Sequence, residues 1–594
     1  MFTTFNLRVT LWATLAVALL LNYVTWLHDY PPAAPPVAEQ GTGTAGSAAT
    51  RAAASTLGAT VPEAGPMPAA TPGTAPGTPA GATAATPATS TVPAMPGAAP
   101  VPAANIANAS GPTAVPAAPM VHVVTDVLDM QVSLDGGELT RADLLTYPQV
   151  KGQATPVRLL NRDSAESLFV LQSGLAGAPG AAAPTQLARF SAESTEWRLQ
   201  PGQDELKLPL TWTDGKGVTV TKTYTFRRGS YQVDLDYSVA NASAANWPYA
   251  PYLQLVRNNE PVPTSYFHPE SYAYKGPAYD DGHKYQKLKM GKEPPTLDAQ
   301  IDGGWLAAMQ HHFVAAVVPP PGAPWHYRLS TQGNAYELSA TGPWHQLAPG
   351  ATDTLKQTVY VGPKLQHQLE QASPRLYLVT DYGKLSFLAR PLFWLLDHVH
   401  ALIGNWGWTI MVVTLLLKLL FYPLSEASMR SMARMKALQP RIKALQEQYK
   451  DQRDKLGRAT MELYQKEKVN PVAGCLPMLI QMPVFLAFYW VLLESVEMRQ
   501  APFMGWIGDL SAKDPWFILP VMMAGANFIN FKLNPQMGDP TQQKMFMIMQ
   551  IAMPVMFAFM PSGLVLYWTT NTVLSILQQW NINRRLAAAA KARN

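Results

Sequence analysis

Lys418 stands inside the apolar run Met411-Val412-Val413-Thr414-Leu415-Leu416-Leu417-Lys418-Leu419-Leu420-Phe421-Tyr422-Pro423. A charge in the middle of a bilayer segment costs ~2.5–3.5 kcal/mol on insertion scales, so a lysine there implies a function or a wet cavity. The competing reading is a lysine that snorkels to the membrane edge, because only ~8 Å of helical rise separates it from Pro423. Thr414 lies one turn earlier on the same face. Gln481, Asn527, Asn530, Gln550, Thr569, Thr570 and Asn571 interrupt other apolar runs. Such residues predict a partly wet interior. Interhelical hydrogen bonding, at ~0.6 kcal/mol per contact, accounts for some of them but not for Lys418.

No catalytic constellation is visible. His311-His312 lies in a strand-like stretch without a metal-ligand partner, and no Gly-rich phosphate loop occurs. The sole cysteine, Cys475, excludes an intrachain disulfide and a Cys-based metal site, and reads as a small buried hydrophobe. Neither catalytic residue, metal nor cofactor is expected, and the chain is not read as an enzyme. A solute transporter would call for internal repeats, which are absent. An envelope enzyme would call for convergent carboxylates or a nucleophile–base pair.

The elements that must position Lys418 emerge from composition. Of 594 residues 48% are apolar, a soluble-protein average that conceals three unlike regions. The net charge of +5 gathers beside apolar segments and forms no nucleic-acid stripe. Residues 1–28 hold an apolar run, Val9–Leu27, read as an uncleaved anchor rather than a signal peptide. Residues 29–120 are Ala/Pro-rich and read as a disordered linker whose length matters more than its sequence.

Residues 121–372 alternate with period two. Val124, Leu128, Met130, Val132 and Leu134 share one parity, as do Tyr231, Val233, Leu235, Tyr237 and Val239, and Val218, Val220, Tyr224 and Phe226. With turn chemistry at Asp135-Gly136-Gly137, Asp214-Gly215 and Gly333-Asn334, this predicts an all-β sandwich. Residues 373–404 contain an amphipathic helix that suits the membrane interface.

Five apolar spans follow within 405–585: Trp406–Leu424, Val472–Val496, Pro515–Phe531, Met545–Met560 and Gly563–Ile582. With the anchor they make six. Lys and Arg concentrate between Arg430 and Lys468 and in the basic tail 586–594, so both termini and the segment 425–470 are expected in the cytoplasm and the β domain outside it. Within 425–470, Met435, Leu438, Ile442, Leu445 and Tyr449 predict one helix of a hairpin, and Leu456, Leu463 and Tyr464 the other, with Pro440 kinking or starting a helix. It reads as a self-packed coiled coil, as a basic docking arm through Arg434, Lys436, Arg441 and Lys443, or as both. Methionine, 25 residues in all, suits surfaces that meet varied apolar partners, though ordinary packing explains it too.

Ordered motifs from about Asp381 to Arg585 resemble the YidC insertase family, relatives of the mitochondrial Oxa and chloroplast Albino insertases. They are Asn405-Trp406-Gly407-Trp408, Tyr422-Pro423-Leu424, Met432-Ala433-Arg434-Met435, Leu438-Gln439-Pro440, Glu467-Lys468-Val469-Asn470-Pro471, Gly474-Cys475-Leu476-Pro477, Gln481-Met482-Pro483, Arg499-Gln500-Ala501-Pro502-Phe503 and Pro561-Ser562-Gly563-Leu564-Val565-Leu566-Tyr567-Trp568.

The resemblance implies a multi-pass bacterial inner-membrane protein with a periplasmic β-supersandwich and a five-helix core. That core encloses a hydrophilic groove with one positive charge, at Lys418, where many relatives carry arginine. Thr414, Gln481, Thr569 and Asn571 would line the groove, and Tyr567 and Trp568 would touch substrate. Implied partners are nascent membrane proteins, the Sec translocon, membrane lipids, and the ribosome or signal recognition receptor through the hairpin and tail. The expected activity is inserting, and helping to fold, inner-membrane proteins.

Overall fold

The computed structural model describes residues 57–65, 67, 119–259, 263–265, 269–291, 293–449, 452–467, 471–533 and 540–591. The expected anchor Val9–Leu27, most of the Ala/Pro-rich stretch, and the side chains of Cys475 and Lys436 lie outside the described residues.

Alternation builds two sheets. One has 11 strands, and its central path runs Trp325–Gln332, Ala335–Thr341, Trp247–Asn258, Phe169–Gly177, Leu139–Pro148, Leu128–Ser133 and Met120–Val124. The other has 8, with Trp305–Met309, Phe313–Val318, Thr352–Pro363, Gln232–Asn241, Val218–Arg227 and Glu205–Thr213 in order. Neighbours are antiparallel, apart from the parallel pairing of Met120–Val124 with Glu196–Arg198. Inward residues of both sheets, such as Leu171 and Leu253 against Val220 and Leu235, form one core cluster. This is the expected sandwich. Gly333-Asn334 closes a two-residue hairpin between its flanking strands, with Gly333 at φ 60°.

One parity differs from expectation. Val121 and Val123 are buried and Val124 is half-buried, while Leu128, Met130 and Val132 are buried. The hydroxyl of Thr125 accepts the N–H groups of Val127 and Leu128, so a turn divides two strands that the sequence pattern joins. Lys222 is the other surprise. Its place in Val218–Arg227 sends it inward, and it is 0% exposed. Its ammonium donates to the carbonyls of Gly136, Gly137 and Ser173 beneath the rings of Phe190, Tyr224 and Tyr237.

Nine helices follow among the described residues: α1 (Gln366–Ala372), α2 (Ser386–Ile403), α3 (Trp406–Leu420), α4 (Tyr422–Gln448), α5 (Arg453–Lys466), α6 (Pro471–Glu494), α7 (Ile518–Leu533), α8 (Pro540–Phe557) and α9 (Ser562–Lys591). α2 buries Ala389, Leu392, Phe393 and Leu396 and leaves Phe387, Trp394 and Leu402 exposed. It runs through Pro391 unbroken. α4 starts with Pro423 in its first turn and continues through Pro440. Pro440 therefore starts no helix, and it lies on the exposed side, where water can take the lost hydrogen bond. Met435, Leu438 and Ile442 pack with Leu463 and Tyr464, so the hairpin is self-packed. α9 extends to Lys591, carrying the helix into the expected tail.

Among the described residues no single helix is long and apolar enough to cross a membrane alone. Trp406–Leu420 and Tyr422–Met432 qualify together but are bent by 63°. Exposed Leu415, Leu419, Val521, Phe528, Ile548, Val555, Leu577 and Trp580 nonetheless leave the bundle with an apolar outer surface of the kind lipid covers.

The stretch 29–120 is not uniformly structureless. Residues 57–65 lie on the β domain, with Gly58 buried. The composition argument misses this because a short backbone-mediated contact needs no apolar side chains.

Candidate functional site

α3 is held at its β-domain end by its motif. Asn405 caps the helix by accepting the N–H of Trp408 at 3.2 Å, and its amide reaches the carbonyl of Phe503 at 3.1 Å. Gly407 is required, since a Cβ there would collide with the Phe503 ring. The ring of Trp406 stacks on His400 at 3.8 Å.

About three turns on, the helix delivers Lys418 to a cavity lined also by Thr414, Gln481, Tyr567, Asn571 and Ser425. The Lys418 ammonium donates to the Ser575 hydroxyl at 2.9 Å, and that hydroxyl donates to the carbonyl of Asn571 at 2.7 Å. No carboxylate pairs with Lys418 among the described residues. The side chain thus points across the bundle to α9, not along α3 to the membrane edge. Thr414 spends its hydroxyl on the carbonyl of Ile410 at 2.6 Å. Gln481 donates to Tyr567 at 3.5 Å, and Asn571 Oδ1 is buried without a partner among the described residues. The cavity encloses about 30 Å³, room for water but not for a polypeptide.

Five predicted residues therefore meet: Lys418, Thr414, Gln481, Tyr567 and Asn571. Thr569 does not join them, because it lies two residues from both Tyr567 and Asn571 and so on another side of α9, where its hydroxyl bonds the carbonyl of Val565 at 2.8 Å. The two aromatics expected to touch substrate pack against other rings in this structure. Tyr567 is 1% exposed and stacks on Phe488 at 4.2 Å. Trp568 packs edge-on against Phe485 at 4.9 Å. Both turn into the aromatic core because the neighbouring helices supply phenylalanines there. Ser575 was missed, though its place one turn after Asn571 signals the same face. Asn527 accepts from Thr572 at 3.3 Å, which fits interhelical bonding. In the hairpin, Arg434 and Lys443 are exposed, while Arg441 pairs with Glu467 at 2.6 Å.

The β domain grips the core near the far end of the bundle. Arg499 donates to the carbonyl of Pro148 at 2.8 Å, Gln500 to the same carbonyl at 3.0 Å, and Lys151 to the carbonyl of Gln500 at 2.8 Å. His311 meets the carbonyl of Leu493 at 2.9 Å and stacks on His312 at 3.8 Å. Burial lowers His311 to about 3, with the nearby Lys364 charge adding to the effect. Lys364 and Glu494 form a buried pair at 3.8 Å. The histidines are junction residues, and no metal-binding cluster occurs among the described residues.

An apolar helical bundle carrying an external β-sandwich defines a membrane protein with a soluble domain on one face. Sequence comparison supplies the particulars. The family described as 60Kd inner membrane protein matches residues 398–589, and the YidC periplasmic domain matches residues 120–395. A membrane protein insertase YidC from Thioalkalivibrio sulfidiphilus is 46% identical, covering 79% of this chain and 86% of its own. Its counterpart from Methylococcus capsulatus is 45% identical over 78% and 86%, and that of Ectopseudomonas mendocina 43% over 86% and 93%. A crystal structure of an active YidC insertase with its first transmembrane domain resolved is 20% identical, covering 78% of this chain and 92% of that one at a TM-score of 0.34. On the strength of the sequence matches, the chain belongs to the YidC family of membrane protein insertases. It is an inner-membrane insertase with a periplasmic domain, and not an enzyme.

Proposed function

We propose that the cavity around Lys418 is the resting form of a substrate groove, and that its charge draws in acidic polypeptide. The observation that carries this reading is a lysine ammonium turned into a polar cavity without a counter-charge among the described residues. Uncompensated positive charge beneath an apolar shell attracts a carboxylate-bearing tail more strongly than it would in water. The tail of a nascent membrane protein enters between α3, α6 and α9 and widens the cavity. The following apolar segment leaves into lipid, driven by burial at ~25 cal/mol per Å². Lysine supplies the attraction as a point charge, without the planar fork of an arginine.

The topology that goes with this has six spans and both termini in the cytoplasm. The exposed Arg434 and Lys443 then face the ribosome or a signal recognition receptor, and the chain works alone or beside the Sec translocon.

Insertion of a small acidic-tailed client into proteoliposomes tests the reading. Lys418→Arg should retain insertion, Lys418→Ala should slow it, and Lys418→Glu should slow it most. Full activity in Lys418→Glu rejects the electrostatic role.

A further inference from the structure

Three adjacent strands of the 11-stranded sheet, Phe169–Gly177, Trp247–Asn258 and Ala335–Thr341, place Gln172, Gln254 and Ser339 in one row, and Val170, Val256 and Glu337 in the next. Leu171, Leu253, Leu255 and Leu338 belong to the sandwich core, so the polar rows occupy the opposite, outer face. An outer face of a sandwich is ordinarily wet. Here Gln254 is 0% exposed, Gln172 3%, Ser339 4% and Glu337 6%. Residues 57–65 help to cover this face.

The covering segment is held through its backbone. The N–H of Gly58 donates to Glu337 Oε2 at 2.8 Å. The Gln186 side-chain amide donates to the carbonyls of Gly58 at 3.3 Å and Thr60 at 2.9 Å, and its oxygen accepts from the Tyr252 hydroxyl. The Trp344 indole donates to the carbonyl of Gly65 at 2.6 Å. Side chains contribute little beyond an exposed Glu63–Arg328 pair at 3.5 Å. Position 58 is the exception. Gly58 has φ +77°, and a Cβ there would lie 3.0 Å from Gln172 Oε1 and from Val256 Cγ2. Residues 57–60 form a turn, and main-chain hydrogen bonds with one size-restricted position are a means of recognising a peptide segment. A face meant only for solvent needs no buried glutamate and glutamines, and Gln254 Oε1 still lacks a partner among the described residues.

We propose that this outer face is a binding groove for a peptide that enters it as a turn with glycine at the position of Gly58, and that residues 57–65 occupy it as a tethered ligand. The tether keeps the local concentration of the segment high, so an incoming peptide binds only by displacing it.

The test uses the full-length chain in detergent and a fluorescein-labelled peptide of residues 55–67. A variant with residues 57–65 replaced by Gly/Ser of equal length should bind the peptide saturably, while the wild-type chain binds about tenfold or more weakly. In the replaced chain, Glu337→Ala should weaken binding by about tenfold through loss of a charge-assisted hydrogen bond. A peptide carrying Gly58→Val should not bind. Client insertion by the same preparations establishes that each variant is folded. The full-length Gly58→Val chain, whose own segment is expelled by the clash, is a second route and should also bind the free peptide. The proposal is overturned by failure of both folded variants to bind, by equal binding to wild type, or by equal binding of the Gly58→Val peptide.

Discussion

Lys222 and Lys418 both lie away from bulk water, and their partners set them apart. Lys222 has three N–H donors and three carbonyl acceptors, with aromatic rings around them. Its hydrogen-bonding capacity is used up, which makes it part of the sandwich interior. Lys418 gives one hydrogen bond to a hydroxyl among the described residues and keeps donors facing a water-sized cavity. The two should respond differently to truncation. Lys222→Ala leaves a cavity and three carbonyls without this donor, and should lower stability by about 2–4 kcal/mol in thermal unfolding of the full chain. Lys418→Ala should leave that transition in place and act on insertion instead. Only one of these lysines was legible in the sequence. A lysine in a long apolar run is conspicuous, whereas Lys222 sits among Thr221, Thr223 and Thr225 in a strand whose polar residues point outward by default. Its inward parity becomes visible only when Val220 and Tyr224 are placed in the core with it.

At the scale of elements, apolar runs foretold where α2, α3, α6 and α9 lie to within a few residues, because burial and lipid contact both demand continuous apolar sequence. Ends were less legible. α9 continues well past its apolar part, and α4 ignores Pro440, since a helix already paid for by packing at Met435 and Ile442 tolerates a lost bond on its wet side. The segment 57–65 was invisible to composition because its backbone, not its side chains, makes the contacts. The α3 terminus offers a sharp test of element packing. Gly407→Val drives a branched side chain into Phe503, and overpacking of this kind costs about 1–3 kcal/mol. Folded yield and melting temperature should both fall. Phe503→Ala in the same chain should recover part of the loss, and the double mutant being as poor as the sum of the singles contradicts direct packing.

At the scale of the molecule, the β domain and the bundle are joined by buried polar contacts that respond to acid. His311 titrates near 3 in the folded chain, against about 6.5 when unfolded. A depressed histidine means that the unfolded chain binds the extra proton, so the contribution of His311 is fully present above about 6.5 and is lost as pH falls toward 3. Glu497, raised to about 7 by burial, acts the opposite way in part of this window, so the informative quantity is a difference. Relative to wild type, His311→Asn should flatten the decline of melting temperature between pH 7 and pH 4. Identical pH profiles for the two chains count against His311 as the sensor. The tightness of the Lys418 cavity has a bioenergetic side. Ile410, Val413 and Val565, all 0% exposed, pack into one core cluster, and the Lys418 cavity holds little more than a water molecule. Each elementary charge crossing a membrane dissipates ~2.3 kcal/mol per 100 mV. A protein that kept a peptide-wide passage open between clients would short-circuit the gradient that energises its membrane. On the proposed reading of the Lys418 cavity, the passage would open only around the chain that plugs it.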